Sequence, residues 1–379
     1  MTSKDATAVR VRAAEADIAI VGSSTVTDWA RRYFTPSWTV ETVPIDEAFR
    51  GPQLTTINDP GTYAELAEKI TRLPHTEITY ARKPMLVTHV LEGIVAVSPD
   101  ERLAFKSLPE VDLLDITTGK SSSEGLATAA ARLAREMIRG QLIRAGWSLL
   151  HASAISRKGR VVLVFGHKGS GKTTLALTLT RGGEWDLVAN DRVFVRVEDD
   201  RVRVLPWPSA AAVGLGLLDA LGWYDHIRDR LAGGEELHPT QHQRVSDALT
   251  QGLRTPLWDG NKELKAQIWP IQFTHWFGID LAQEGDAAAL LFPHVDPTAA
   301  QPYKAAATRS LSRDDFMAGA TEDRYPDVFE LVRAPIGGSD TSRSDAAARL
   351  QALPHHSVVL THDVAANAKV LDAVLADVS

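Results

Sequence analysis

One stretch limits the choice of fold more than any other: Val161-Val162-Leu163-Val164-Phe165-Gly166-His167-Lys168-Gly169-Ser170-Gly171-Lys172-Thr173-Thr174, followed by Leu175 to Thr180. Five apolar, mostly β-branched residues predict a buried strand, Gly166 to Gly171 a tight loop, and Thr173 onward an amphipathic helix. The loop fits G-x-x-x-x-G-K-[ST] at every fixed position, the phosphate-binding P-loop pattern. Its glycines let successive backbone N–H groups turn inward as a nest for phosphate oxygens, and the following helix presents its positive end to the same anion. Gly166, His167, Lys168, Gly169, Ser170, Gly171, Lys172, Thr173 and Thr174 are therefore the expected nucleotide-binding residues. Lys172 is placed to reach the β- and γ-phosphates, and the Thr173 hydroxyl to bind Mg²⁺.

Composition narrows the function around that loop. The 379 residues suffice for two domains, and the 44% hydrophobic and 23% charged content is ordinary for a globular protein. A formal net charge of −7 supplies no basic excess for a phosphate backbone, so no nucleic-acid partner is expected. With no cysteine, disulfides, thiolate zinc sites and a cysteine nucleophile are excluded, and any metal must be held by oxygen or imidazole. Met1 to Asp17 has charges throughout and no apolar core, and no run of about 18 apolar residues occurs anywhere. The expectation is a cytoplasmic protein with no membrane partner.

The first 120 residues read as a small α/β module. Asp17 to Val21 is a candidate strand, Val26 to Tyr33 and Tyr63 to Leu73 are candidate helices, and strands are expected at Glu77 to Tyr80, Leu86 to Leu91, Ile94 to Val97 and Leu103 to Leu108. Ser121-Ser122-Ser123-Glu124 resembles a capped helix start and sets the expected boundary, with 121–379 as the P-loop domain. That helix should run to about Ala145 with Arg132, Arg135, Arg139 and Arg144 mostly on its wet face. Beyond it, Trp147 to Ile155 reads as one strand, Ser156 to Arg160 as a hairpin turn, and Asp186 to Asn190 as a strand ending at Asn190-Asp191. Further expectations are a hairpin around Asp199-Asp200, a buried strand at Ala287 to Phe292, a helix near Arg313 to Ala320, a polar loop near Gly337 to Ser344, a strand at Ser357 to Thr361 and a last helix at Ala365 to Ala376.

Leu149-Leu150-His151-Ala152-Ser153-Ala154, the hairpin, the P-loop and Leu187-Val188-Ala189-Asn190-Asp191-Arg192-Val193 together resemble the bacterial HPr kinase/phosphorylase family and its HPr-kinase-related branch. Gly214-Leu215-Gly216-Leu217-Leu218-Asp219 resembles that family's Gly-Leu-Gly segment. The resemblance covers about Gln141 to Asp219. It implies an α/β fold with a mixed β-sheet of the HPr-kinase/PEP-carboxykinase-like type, carrying the smaller N-terminal module. It also implies ATP and Mg²⁺ as cofactors and transfer of the γ-phosphoryl group to a hydroxyl. Carried over residue by residue, the catalytic set is His151, Lys172, Asn190 and Asp191, with Thr173 and Asp191 on the metal. Relatives of this kind often form homo-oligomers.

Two departures bear on the chemistry. Asn190 stands where the family has an aspartate thought to activate the acceptor hydroxyl, and an amide cannot take a proton at neutral pH. Ala211 and Val213 stand where it has an acidic residue and an arginine. The expected activity is that of an ATP-dependent kinase without the reverse reaction, its base His151 or Asp191. Its acceptor is a hydroxyl of a small metabolite, such as a nucleoside or amino-acid derivative of specialised metabolism, or of a peptide serine. The alternative is a regulatory nucleotide-binding ATPase that phosphorylates nothing but water. Outside this core, His238 and His242 read as a surface pair, His294 as the end of a buried strand, Asn261 and Lys262 as a turn able to meet phosphate, and Trp207 as a lid or stacking platform.

Overall fold

The computed structural model describes residues 6–307, 309–317 and 326–378. It is a mixed α/β structure divided into two compact units, one of Met1–Trp147 with Met317–Ser339 and one of Ser148–Phe316 with Asp340–Ser379. The division follows Trp147, so the helix after the serine run belongs to the first unit.

In the first unit the strands are β1 (Thr7–Ala13), β2 (Ala16–Gly22), β3 (Thr39–Thr42), β4 (Gln53–Asn58), β5 (Thr76–Tyr80), β6 (Lys83–Val90), β7 (Gly93–Ser98), β8 (Leu103–Leu108) and β9 (Leu113–Thr118). They form one sheet in the order β3-β1-β2-β4-β9-β8-β7-β6-β5. Helices α1 (Ser24–Phe34), α2 (Ile45–Ala48), α3 (Pro60–Arg72) and α4 (Glu124–Arg144) pack on it. The sequence reading lacks β1, β3, β4 and β9. In β1, Val9 and Val11 are fully buried between Arg10 and Arg12, the alternation of a half-buried strand whose charges read instead as a polar tail.

Of the four arginines expected on a wet face of α4, only Arg144 is exposed. Arg135 and Arg139 are buried, Arg139 Nε lies 3.0 Å from Glu136, and Arg135 Nη1 donates to the Tyr33 hydroxyl at 2.7 Å. The reason is that α4 packs against both α1 and β2, and buried guanidinium groups are tolerated when such partners are within reach.

In the second unit the strands are β10 (Ser148–Leu150), β11 (Ser153–Arg157), β12 (Arg160–Val164), β13 (Asp186–Ala189), β14 (Val193–Glu198), β15 (Arg201–Pro206), β16 (Ala211–Val213), β17 (Leu257–Asp259), β18 (Lys262–Leu264), β19 (Ala266–Ile268), β20 (Gly285–Val295), β21 (Tyr303–Lys304) and β22 (His355–Leu360). The helices are α5 (Lys172–Thr180), α6 (Leu215–Ala220), α7 (Tyr224–Ala232), α8 (Gln243–Gln251), α9 (Pro270–Phe277), α10 (Asp340–Gln351) and α11 (Val364–Val374). The main sheet runs β10-β14-β15-β20-β12-β11-β13, with β22 beside the far half of β20. It is mixed: β12 is parallel to β20 and antiparallel to its hairpin partner β11.

Alternation along β12 divides the core in two. Val162 and Val164 face a cluster with Leu175, Leu179 and Leu371, whereas Val161, Leu163 and Phe165 face one with Phe292, Phe316 and Leu350. Helix α5 lies against the strands on one side and α11 on the other. Leu175, Leu177, Thr178 and Thr180 are all buried, so α5 is enclosed rather than amphipathic, its last threonines buried along with its leucines. In place of a helix near 313–320 there is a single 3₁₀ turn, Arg313–Asp315, and residues 318–320 lie outside the described residues. The polar stretch near Gly337 to Ser344 begins α10 at Asp340.

Candidate functional site

Strand β12 delivers the glycine loop at its C-terminal end, where the Phe165 amide donates to the Leu291 carbonyl of β20 at 2.9 Å. The loop turns tightly, Ser170 N–H donating to the His167 carbonyl at 3.1 Å, and Leu175 N–H donates to the Gly171 carbonyl at 2.8 Å as the helix begins. Glycine is demanded at both ends. A Cβ on Gly166 would lie 2.2 Å from Ser170 Oγ; Gly171 has φ of 101° and its Cβ would lie 2.7 Å from Val295 Cγ2. Among the described residues no side chain caps the N-terminus of α5, so its first amides are able to serve an external acceptor. His167, Lys168 and Gly169 are exposed, and Ser170, Thr173 and Thr174 are half-buried.

Lys172 folds back into this loop. Its Nζ donates to the Gly166 carbonyl at 2.5 Å and to the His167 carbonyl at 3.4 Å, and the residue is only 9% exposed. Burial lowers its pKa, and the charges of Lys265 and Arg309 push the same way against Asp191 and Asp315. An ammonium ion kept in such surroundings is disfavoured until an anion arrives.

His151 is not within a strand. The expected strand Trp147 to Ile155 is broken: β10 pairs with β14, while β11 pairs with β12 and β13. His151 occupies the break, its N–H donating to the Asp315 carbonyl at 3.0 Å. The imidazole Nε2 lies 3.2 Å from Asp191 Oδ1, and Arg192 Nε lies 3.5 Å from Asp191 Oδ2. Desolvation works to raise the Asp191 pKa, but the His151 hydrogen bond and the charges of Arg192, His151 and Lys172 outweigh it and hold the carboxyl at about 2. Asp191 is thus a carboxylate at any physiological pH.

Asn190 directly precedes Asp191 in the chain. Its backbone carbonyl accepts from Ser153 Oγ, and its Oδ1 is buried with no hydrogen-bond partner among the described residues, as is Ser170 Oγ. A buried amide oxygen left open costs about 1–3 kcal/mol, which a donor hydroxyl or a cation would relieve.

Three residues join the site with no sequence motif to announce them. Asp315, its side chain 5% exposed, accepts from Arg309 Nη2 at 2.8 Å and from Ser312 N–H at 2.7 Å, while Lys265 pairs with Glu263 at 3.3 Å. Ser312 preceding Asp315 by three is a cap signature, but nothing in the chain ties it to His151.

Other candidates lie elsewhere or in other roles. His238 is buried, not at the surface: its Nδ1 is 2.8 Å from Thr240 Oγ1 and its ring 4.5 Å from that of Trp269. His242 is exposed and caps α8 by accepting from Arg244 N–H. His294 is exposed, and Asn261 and Lys262 form the exposed tip of the β17–β18 hairpin. Trp207 is 3% exposed against Phe194 and Arg192, so it cannot serve as a lid.

Among the described residues no three His, Asp or Glu side chains cluster as a metal site, and no helix is long and apolar enough to cross a membrane. The sequence matches no protein-family profile and no curated protein. Among solved structures the chain is similar to the HPr(Ser) kinase/phosphatase from Coxiella burnetii, at 14% identity and a TM-score of 0.21. The match covers 40% of this chain and 66% of that one, just under two thirds of its length.

Proposed function

We propose that the second unit is a nucleotide-binding kinase domain of the HPr-kinase/PEP-carboxykinase-like type, transferring the γ-phosphoryl group of ATP to a hydroxyl of a small metabolite or a peptide serine. The observation that carries this reading is the His151–Asp191 pair at 3.2 Å, grouped electrostatically with the Lys172 of the glycine loop. With His151 Nε2–H donated to the Asp191 carboxylate, the other ring nitrogen bears the lone pair and is the proton acceptor. The acceptor oxygen then forms a bond to Pγ while the bond from Pγ to the bridging oxygen breaks. Its proton passes to His151, and ADP leaves with the bridging electron pair. Asp191 orients the imidazole and stabilises the cation it becomes.

The donor set suits Mg²⁺. Thr173 and Asp191 offer one hydroxyl and one carboxylate, and Mg²⁺ characteristically takes one or two carboxylates with phosphate and water completing its shell. Bound there it would neutralise charge on the β- and γ-phosphates. A net charge of −7 speaks for a small or peptide acceptor rather than nucleic acid.

The test is incubation with γ-labelled ATP and Mg²⁺ against fractionated cell extract. Label should appear on a stable acceptor with the wild-type chain. It should fall by about 10²-fold or more in His151→Gln and Asp191→Ala, the scale expected of a group acting in the transition state. The missing carboxylate at Asn190 favours a second reading, a regulatory ATPase; label released only as inorganic phosphate, whatever acceptor is offered, would select it.

A further inference from the structure

We infer that Arg309, far along the chain from the glycine loop, is a ligand of the terminal phosphate of the bound nucleotide. The inference rests on the nucleotide-binding reading above and adds a residue that no sequence pattern singles out.

Arg309 is seated by four contacts, one of them from its Nη2 to Ser312 Oγ at 3.4 Å. Its guanidinium lies 4.9 Å over the ring of Phe292 on β20, its Nη2 donates to Asp315 at 2.8 Å, and its backbone N–H donates to Ser357 Oγ on β22 at 3.0 Å. Phe292 in turn stacks on Phe165 with ring centroids 5.8 Å apart, and Phe165 is the residue before Gly166. Asp315 accepts from the His151 N–H through its carbonyl. The guanidinium is thereby tied to the strand that feeds the loop and to the segment that holds the histidine.

One further observation points to an anion. Arg309 Nη1 is buried and has no hydrogen-bond partner among the described residues, and a guanidinium cannot shed its proton to escape that cost. A phosphate oxygen would supply the missing acceptor. Phosphate is the anion the loop is shaped for. The tie through Asp315 to the segment that holds His151 assigns Arg309 to the terminal phosphate and leaves the inner ones to the loop amides.

The experiment is equilibrium binding of ADP and of the non-hydrolysable triphosphate AMP-PNP, both with Mg²⁺, to the full chain. Arg309→Gln should weaken AMP-PNP by about 10- to 100-fold, the worth of one charged hydrogen bond, with ADP within about twofold. Arg309→Lys keeps the charge but not the planar fork, so its loss should be partial; it carries the test if the glutamine variant does not fold. Asp315→Asn, which breaks the ion pair but leaves the guanidinium, should preserve the preference for AMP-PNP. Equal weakening of both nucleotides, no weakening, or the same loss in Asp315→Asn as in Arg309→Gln would overturn the role of Arg309 alone. A wild-type chain that binds neither nucleotide would overturn the parent reading, and this one with it.

Discussion

Lys172 and Asp191 show how a pair of opposite charges is made useful by unequal surroundings. The lysine is buried and its charged form disfavoured; the aspartate is half-exposed and held ionised by the groups around it. The sign of the pH effect follows. Because the Asp191 pKa is depressed on folding, from about 3.9 in an unfolded chain to about 2, its contribution to stability is complete above about pH 4 and lost as pH falls towards 2. The stability gap between the wild type and Asp191→Asn should therefore narrow over that interval in acid denaturation, and a gap that stays constant would show the carboxylate is not held this way. The strand, loop and helix around 161–180 were legible because the glycine spacing and the apolar run before it are local in the chain. His151 and Asp191 were named by resemblance alone, and Arg309, Asp315 and Lys265 were not legible, since only tertiary structure brings them near Lys172.

At the level of elements, the strand, loop and helix are one device. Strand β12 is central and fully buried beyond Arg160, so its end is rigid, and α5 is locked between the sheet and α11. Gly171→Ala places a side chain in the left-handed region and against Val295, at a cost of about 1–3 kcal/mol. Thermal unfolding should register that loss, together with reduced nucleotide binding; an unchanged melting temperature would mean the loop relaxes freely. The hairpin β11–β12 was readable from Lys158-Gly159, both at positive φ, as hairpin turns require. The break at His151-Ala152 was not, because no glycine or proline marks it and periodicity cannot reveal which strands its two halves pair with.

At the scale of the whole molecule the chain does not divide where its composition shifts. Residues 317–339 return to the first unit, where Phe329 is 1% exposed between Phe105 at 5.1 Å and Tyr80 at 5.7 Å, and its carbonyl accepts from Ser107 Oγ at 2.9 Å. Phe329→Ala should destabilise that unit by about 3–5 kcal/mol, read as lost hydrogen-exchange protection in β7 and β8; protection left intact would mean this segment is not part of its core. A return across some 200 residues leaves no local signature, which is why the sequence suggested a cut near residue 120.

The claim on which all of this depends is that residues 166–174 hold the phosphates of a nucleotide through backbone amides and Lys172. Calorimetric titration with ATP and Mg²⁺, comparing the wild type with Lys172→Met, tests it most directly. The account predicts saturable one-to-one binding that is weakened by about 10²-fold or more in the variant, as expected when a buried charge-assisted contact is lost. Equal affinity in the two proteins, or no binding by the wild type, would contradict it.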